Sequence, residues 1–347
     1  MCGCKSRLAL LAVFSLAAAS AQTYVWNLPK GFPKPRVPLD NPMTAAKVEL
    51  GRHLFYDTRM SVNGKQACAT CHKQELAFTD GRPVAVGATG EKHPRGSMSL
   101  VNIAYSSVLT WSNPGLKELE QQALVPMFGE HPVELGLRQG DAFLPTLRSD
   151  AKYKELFADA FPEEADRFTI ANVTKAIACF ERTIISARSP YDRYHYAEDD
   201  NAVSEAAKRG EILFFSQPLS CFRCHGGFNF SGDPEFHNTG LYNPYSAPNV
   251  GIFEFTKDPK DLGKFKAPTL RNITSTAPYM HDGSIATLED VLDHYAAGGR
   301  AGHNNQLKDP LIAGFHLSAA DRKDLIEFLK SLSDEAVLHD SRFANPW

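Results

Sequence analysis

The sequence has no block of Lys or Arg, and its formal net charge is -3. It therefore offers no basic stripe for nucleic acid. Beyond residue 21 it has no apolar run long enough to cross a bilayer. Alternating apolar and polar residues, the signature of strands, are also missing, even in the long Gly-, Pro- and Asn-rich stretch 226–268. These absences exclude a nucleic-acid binder, a membrane-spanning mature chain and a β-rich fold.

Cysteine is sparse, with seven in 347 residues. Cys2 and Cys4 lie in an N-terminal stretch that reads as a secretory signal. Lys5 and Arg7 form its positive region, Leu8 to Ala19 its apolar core, and Ala19-Ser20-Ala21 a small-residue cleavage site. The apolar run is too short for a span, and a lipid-acceptor cysteine would follow it rather than precede it. A cleaved signal peptide over residues 1–21 and a soluble periplasmic protein are expected. The five remaining cysteines, Cys68, Cys71, Cys179, Cys221 and Cys224, are odd in number, which argues against a disulfide framework in an oxidising compartment. Cys179 stands alone in an apolar helical pattern and reads as a small buried hydrophobe.

What is present is helical. The chain length suits two domains. Five prolines between residues 22 and 43 predict an extended arm. Helical spacing then predicts helices over 44–56, with Thr44 as N-cap, over 169–187 and over 203–215. Thr287 and Asp290 suit a capping box for a helix ending at Gly298-Gly299, and Ser318 and Asp321 open a last one. A weak repeat accompanies them. Gly51-Arg52-His53-Leu54-Phe55 precedes Cys68, as Gly210-Glu211-Ile212-Leu213-Phe214 precedes Cys221. The expected fold is mainly α, with two cytochrome-c-like domains and long loops. The boundary is placed where Ser189-Pro190 breaks the pattern, giving residues 22–190 and 191–347.

Cys68-Ala69-Thr70-Cys71-His72 and Cys221-Phe222-Arg223-Cys224-His225 both read Cys-x-x-Cys-His. Two thiols at this spacing can add to the two vinyl groups of one porphyrin, and the adjacent His then reaches the iron. Zinc would need two more ligands per site, and a thioredoxin-type pair would need a βαβ context. Two such pentads in a repeat, behind a signal peptide, predict two covalently bound c-type haems. The axial ligands opposite the histidines then decide between electron carriage and peroxide chemistry.

At this point the chain resembles the bacterial di-haem cytochrome c peroxidases and their MauG relatives. The resemblance rests on the two pentads, Gln122-Ala123-Leu124-Val125-Pro126, Pro132-Val133-Glu134-Leu135-Gly136, Ala267-Pro268-Thr269-Leu270-Arg271-Asn272 and Ala277-Pro278-Tyr279-Met280-His281-Asp282-Gly283. Leu76-Ala77-Phe78-Thr79-Asp80-Gly81 and Met127-Phe128-Gly129-Glu130-His131-Pro132 look closest to the methanobactin-associated MbnH group. The resemblance implies that Ala88 stands where conventional peroxidases have an iron-ligating His, leaving the N-terminal haem open, with His93 as a rival ligand. It implies Tyr295 as the ligand of the C-terminal haem, in place of a Met. Met280, His281 and His294 are the other candidates there, and His294 points about 100° round the helix from Tyr295. A phenolate is a hard donor that disfavours ferrous iron.

The same resemblance implies Glu134 and Gln122 as peroxide-cleaving groups, Pro126 as a shaper of their pocket and Trp111 as an aromatic link between the haems. Glu130 is a nearby rival to Glu134. It also implies Ca2+ bound through carbonyls of Thr276 and Pro278, although Gly96 occupies the place of an Asn, so that Asn102 or water would have to supply the missing oxygen. Trp26 and Trp347 read as terminal packing anchors. The function implied is the oxidation of a partner's residue, a tryptophan converted to kynurenine on a small periplasmic copper-related protein, by hydrogen peroxide through high-valent haem iron. A cytochrome c peroxidase and a plain di-haem electron carrier are the competing readings.

Overall fold

The computed structural model describes residues 22–138, 143–232, 235–300 and 305–347. The expected signal peptide lies outside the described residues. Among them, no helix is long and apolar enough to cross a membrane.

The fold is mostly helical and rests on two helix pairs. Helix Ala45–Tyr56 packs on Ile170–Arg182, and Glu205–Phe214 packs on Ala319–Ser331. Local chemistry starts each one. Thr44, Thr169, Ser204 and Ser318 accept the N–H three residues on, which satisfies a backbone donor that the first turn leaves orphaned. Leu50 and Leu54, one turn apart, are fully buried on the face that meets the partner helix. Both crossings are made at a glycine. A Cβ on Gly51 would lie 1.9 Å from the Ala176 carbonyl oxygen, and one on Gly210 would lie 2.0 Å from that of Asp324.

The first core gathers Leu50, Phe55, Ile177 and Phe180, and it also takes in Val337, Leu338 and Phe343 from the C-terminal segment. The second is built from Phe214, Phe230, Leu325, Phe328 and Leu332. A third, smaller cluster of Leu241, Tyr245, Phe265 and Ile285 anchors the long loop region, with Trp111 packed against it. There Phe236–His237 pairs antiparallel with Phe265–Lys266, the one sheet among the described residues. Cys179 is buried, as its isolation suggested. Trp347 packs on His53, Tyr153 and Arg59, and Trp26 on Tyr24.

Three expectations need correction. The helix expected over 169–187 stops at Arg182. Beyond it the backbone serves tertiary partners, with Ile184 accepting from Asn102 and Ser186 donating to the Asn102 side chain. Ser189-Pro190 starts a helix, Pro190–Tyr196, rather than interrupting one. Ser189 and Asp192 form its capping box, and proline needs no partner in a first turn. At Thr287 the box is one-sided: Thr287 accepts from the Asp290 N–H, but the Asp290 carboxylate takes the Thr287 hydroxyl instead of the cap N–H.

The repeat also runs further than the sequence showed. Asn102 and Asn272 both hold positive φ, 58° and 56°, and each opens a short 3-10 turn. Each donates its N–H to the carbonyl just past its own helix pair, Ile184 and Leu332. Ser186 joins them: its N–H reaches the Asn102 side-chain oxygen at 2.8 Å and its hydroxyl reaches that of Asn272 at 2.8 Å. All three residues are fully buried. Nearby, the buried Arg271 makes a bidentate pair with Asp192, both contacts at 2.9 Å, between the rings of Phe32 and Phe230. Phe32 belongs to the extended N-terminal arm, which is thereby pinned to the second core.

Candidate active site

The first pentad forms the short helix Cys68–Cys71, with His72 closing it. His72 Nδ1 donates to the Phe78 carbonyl at 2.8 Å. That carbonyl is aimed by two successive residues, Ala77 and Phe78, at φ of 50° and 59°, a left-handed conformation that side chains rarely adopt. The second pentad makes the turn Cys221–Arg223, and His225 Nδ1 donates to the Pro268 carbonyl at 3.2 Å. A backbone carbonyl can only accept, so in both rings the lone pair is on Nε2. Burial lowers the pKa of His72 and pushes that of His225 down to about 4, which keeps both imidazoles neutral. A neutral ring held at Nδ1 and offering Nε2 is the form that binds iron.

The four pentad cysteines are not paired as disulfides, and burial holds the Cys71 thiol up at about 11. Among the described residues no three His, Cys, Asp or Glu side chains gather as a metal cluster. Each pentad instead faces a cavity. One is lined by Cys68, Cys71 and His72, and the other, which also reaches Trp111, is lined by Cys221, Cys224 and His225. Thiol pair, fixed imidazole and cavity together fit a covalently held porphyrin at both places.

Gln122, Pro126 and Glu134 line the first cavity with His72. Glu130 is exposed and outside it. The backbone fixes Glu134 in register. Ala88 donates its N–H to the Glu134 carbonyl at 2.6 Å, and a Cβ on Gly87 would lie 1.7 Å from the Val133 carbonyl oxygen. Burial pushes the Glu134 carboxyl up to about 7. His93 lines the same cavity, with Nε2 3.8 Å from Glu134 Oε1. Glu181, which sequence reasoning missed, is a further acid on this wall. It is fully enclosed on the helix Ile170–Arg182, one carboxyl oxygen has no partner, and burial pushes it up to about 8. Within an apolar helical pattern it carried no signal.

Tyr295 lines the second cavity together with Cys221, Cys224 and His225. Burial raises its phenol pKa well above the usual range, and the two cysteines add to the rise. His294, the next residue back, points elsewhere: its Nε2 pairs with the Thr239 carbonyl at 2.9 Å. Met280 and His281 also line this cavity, and the His281 ring stacks on Phe265 with centroids 3.6 Å apart. Trp111 stands on the cavity wall and donates its indole N–H to the Gly96 carbonyl at 2.8 Å. The Gly96 N–H donates in turn to the His281 carbonyl at 2.9 Å. Thr276 and Pro278 lie on the same wall as Gly96.

Asn102, considered as a replacement oxygen donor for Ca2+, must be withdrawn. Its amide is buried and spent on Ser186 and Asn229. A pair that sequence reasoning missed is His237 with Asp309, Nδ1 to Oδ2 at 2.7 Å. The Asp309 carboxylate, with the Cys224 thiol, holds His237 up to about 10. The partners are 72 residues apart, so no spacing could have announced them.

The family model described as "Di-haem cytochrome c peroxidase" matches residues 45–201, and one described as "RoxA-like, cytochrome c-like" matches 264–297. A cytochrome-c peroxidase of Pseudomonas sp. (strain SCT) is 35% identical over 95% of this chain and 92% of its own length. The methylamine utilization protein MauG of Methylorubrum extorquens is 33% identical over 92% of this chain and 86% of its own. The crystal structure of a MauG-like protein associated with microbial copper homeostasis superimposes with a TM-score of 0.89. That similarity holds at 44% identity, over 94% of this chain and 100% of that one.

Proposed function

The chain belongs to the di-haem cytochrome c peroxidase family that includes MauG, and from that premise we propose that it uses hydrogen peroxide to oxidise a tryptophan on a partner protein, yielding kynurenine. The family makes it a peroxidase-type oxidoreductase with two c-type haems. In this reading residues 22–190 hold the first haem through Cys68, Cys71 and His72, and residues 191–347 hold the second through Cys221, Cys224, His225 and Tyr295. When bound, the haems supply the redox chemistry, taking up two oxidising equivalents per peroxide and passing them on over a distance.

The chain's own residues do the rest. Glu134 removes the proton from one peroxide oxygen and returns it to the other, which leaves as water. Gln122 donates from its amide to steady the oxygen that bears the developing charge. Pro126 narrows the space around them, and Trp111 supplies an aromatic bridge toward the second site. A Ca2+ beside Gly96 would be held through the carbonyls of Thr276 and Pro278, with water completing its oxygen shell.

The observation that carries the reading is asymmetry. Ala88 stands where the resemblance expects a His that would ligate the first iron, and its methyl cannot bind metal. Tyr295, which lines the second cavity with His225, offers a phenol for the corresponding role there. An open first site admits peroxide, and a hard oxygen donor at the second suits sharing an oxidising equivalent better than accepting electrons from a small cytochrome. Conversion of tryptophan to N-formylkynurenine adds two oxygen atoms, so two peroxides are consumed and two waters released; hydrolysis then frees formate and leaves kynurenine. The link of a MauG-like relative to copper homeostasis supports a small copper-related protein, exported to the periplasm with this chain, as the partner.

The holoenzyme, mixed with peroxide and a small periplasmic copper-binding protein bearing a surface tryptophan, should add two oxygen atoms to that residue and then, as formate leaves, give a net gain of one oxygen with loss of one carbon, read by mass spectrometry. Rapid peroxide consumption with reduced cytochrome c, and no change in the partner's mass, would favour the second reading. That reading, a cytochrome c peroxidase, draws on Met280, a thioether on the same cavity wall as Tyr295, and on the peroxidase relative.

A further inference from the structure

The steps assigned to the first cavity leave His93, on its wall, without a task. His93 lies at the base of a hairpin closed by the Val86–Lys92 bridge, where its own N–H donates to the Ala85 carbonyl at 2.8 Å. Its ring is held from one side. The backbone N–H of Arg95 donates to His93 Nδ1 at 3.1 Å, so Nδ1 must present its lone pair and the ring proton must sit on Nε2. That Nε2 is the atom 3.8 Å from Glu134 Oε1, one side-chain adjustment short of a hydrogen bond. The side chains are 25% and 30% exposed, and both line the cavity.

This tautomer decides what His93 can do. To bind iron through Nε2 the ring would have to carry its proton on Nδ1, directly against the Arg95 N–H, with two donors facing each other. To act as an acid it would have to become imidazolium, which meets the same clash. Burial and the Arg95 guanidinium both lower its pKa, which agrees with a ring that stays neutral. What remains is a fixed, uncharged N–H donor aimed at a carboxylate.

We propose that His93 is a positioning residue for Glu134: its Nε2–H holds the carboxylate toward the cavity and favours the ionised form that can accept the peroxide proton. The inference rests on the reading of Glu134 as the acid–base group. It adds a reason for that group to ionise at all, because burial alone works against the charge. The other charged or titratable groups around the pair are Arg95, with Glu254 as its partner at 3.4 Å; Glu91, which accepts the Val133 N–H; and Glu181 and His72 on the cavity wall. What opposes ionisation of Glu134 is its burial, which a neutral donor beside it offsets.

The test uses the full-length holoenzyme and three variants, His93→Phe, His93→Gln and Glu134→Gln. The carboxylic C=O infrared band that disappears in Glu134→Gln is titrated against pH in the other proteins. Loss of the donor in His93→Phe should raise the midpoint by about one pH unit, the size expected for one hydrogen bond to a charged group. His93→Gln, which keeps an N–H, should restore most of the shift. The pH midpoint of the peroxide reaction should move in parallel, with circular dichroism unchanged. Equal midpoints in wild type and His93→Phe overturn the inference, as does a His93→Gln protein that behaves like His93→Phe. It is also overturned if resting wild type has two low-spin haems and one turns high-spin only in His93→Phe, because His93 would then be an iron ligand. If the infrared midpoint shifts while Glu134→Gln reacts normally with peroxide, the acid–base reading of Glu134 fails and the pairing with His93 stands.

Discussion

The backbone N–H of Ala88 donates to the carbonyl of Glu134 at 2.6 Å. One hydrogen bond thus joins the residue that stands where a ligating His is expected to a residue that lines the first cavity with a carboxyl group, and so helps to hold that acid in place.

Glu134 is therefore the first group to test. Replacing it with Gln keeps the shape and removes the base, so the rate constant for reaction with peroxide should fall by about 10²- to 10⁴-fold. Because burial holds this carboxyl up at about 7, the base form is lost as pH falls through neutrality. The wild-type rate should fall on the acid side of about pH 7, and Glu134→Gln should show no such limb. Stopped-flow mixing across pH checks both.

Tyr295 faces the second cavity from the helix Leu288–Ala296. If its phenolate binds the iron, Tyr295→Phe should replace the low-spin ferric signal of that haem with a high-spin one in electron paramagnetic resonance. The oxidised form generated by peroxide without reductant should become short-lived. An unchanged low-spin signal would transfer the role to Met280.

The glycine crossings predict a large structural effect from one methyl group. A Cβ on Gly210 would sit 2.0 Å from a backbone oxygen, and neither helix can yield locally. Gly210→Ala should destabilise the protein by on the order of 3 kcal/mol, at the upper end of overpacking costs. Ala206→Gly, in the same helix at a half-buried position, should cost only about 1 kcal/mol of helix propensity. Denaturant unfolding separates the two.

The His237–Asp309 pair predicts a stability window. His237 is raised from its ordinary 6.5 to about 10, so its contribution is complete below pH 6.5 and fades as pH rises through 10. Asp309 is lowered, first by that hydrogen bond, so its contribution is present above the ordinary aspartate value near 4 and fades in acid. Once haem attachment turns Cys224 into a thioether, the shift of His237 depends on Asp309 and narrows. Asp309→Asn should lower the denaturation midpoint at pH 6 and match wild type at pH 10.5.

Much of the site could be read in the sequence because its chemistry is local. Cys68 to His72 and Cys221 to His225 carry their spacing within five residues. Thr44, Ser204 and Ser318 cap helices a few residues away. Gln122 and Glu134, placed by resemblance, do meet at one cavity with His72. The early end of the helix at Arg182 could not be read, because what ends it is a hydrogen bond to Asn102, some 80 positions earlier in the chain. Ser189-Pro190 carries the capping signal of Ser189 and Asp192, so its proline opens a helix at a point where proline alone suggests a stop.

The amino-acid sequence by itself determined where thiols and imidazoles would attach two haems, which stretches would be helical, and that Ala88 could bind no metal, since each depends on residue type and short spacing. Only the tertiary structure decided that Glu134 rather than Glu130 enters the first cavity, that the N–H of Arg95 fixes the tautomer of His93, and that Asp309 charges His237. A hydrogen bond has direction and distance only once both partners are in place, whether they lie two residues apart, as His93 and Arg95 do, or 72 apart, as His237 and Asp309 do.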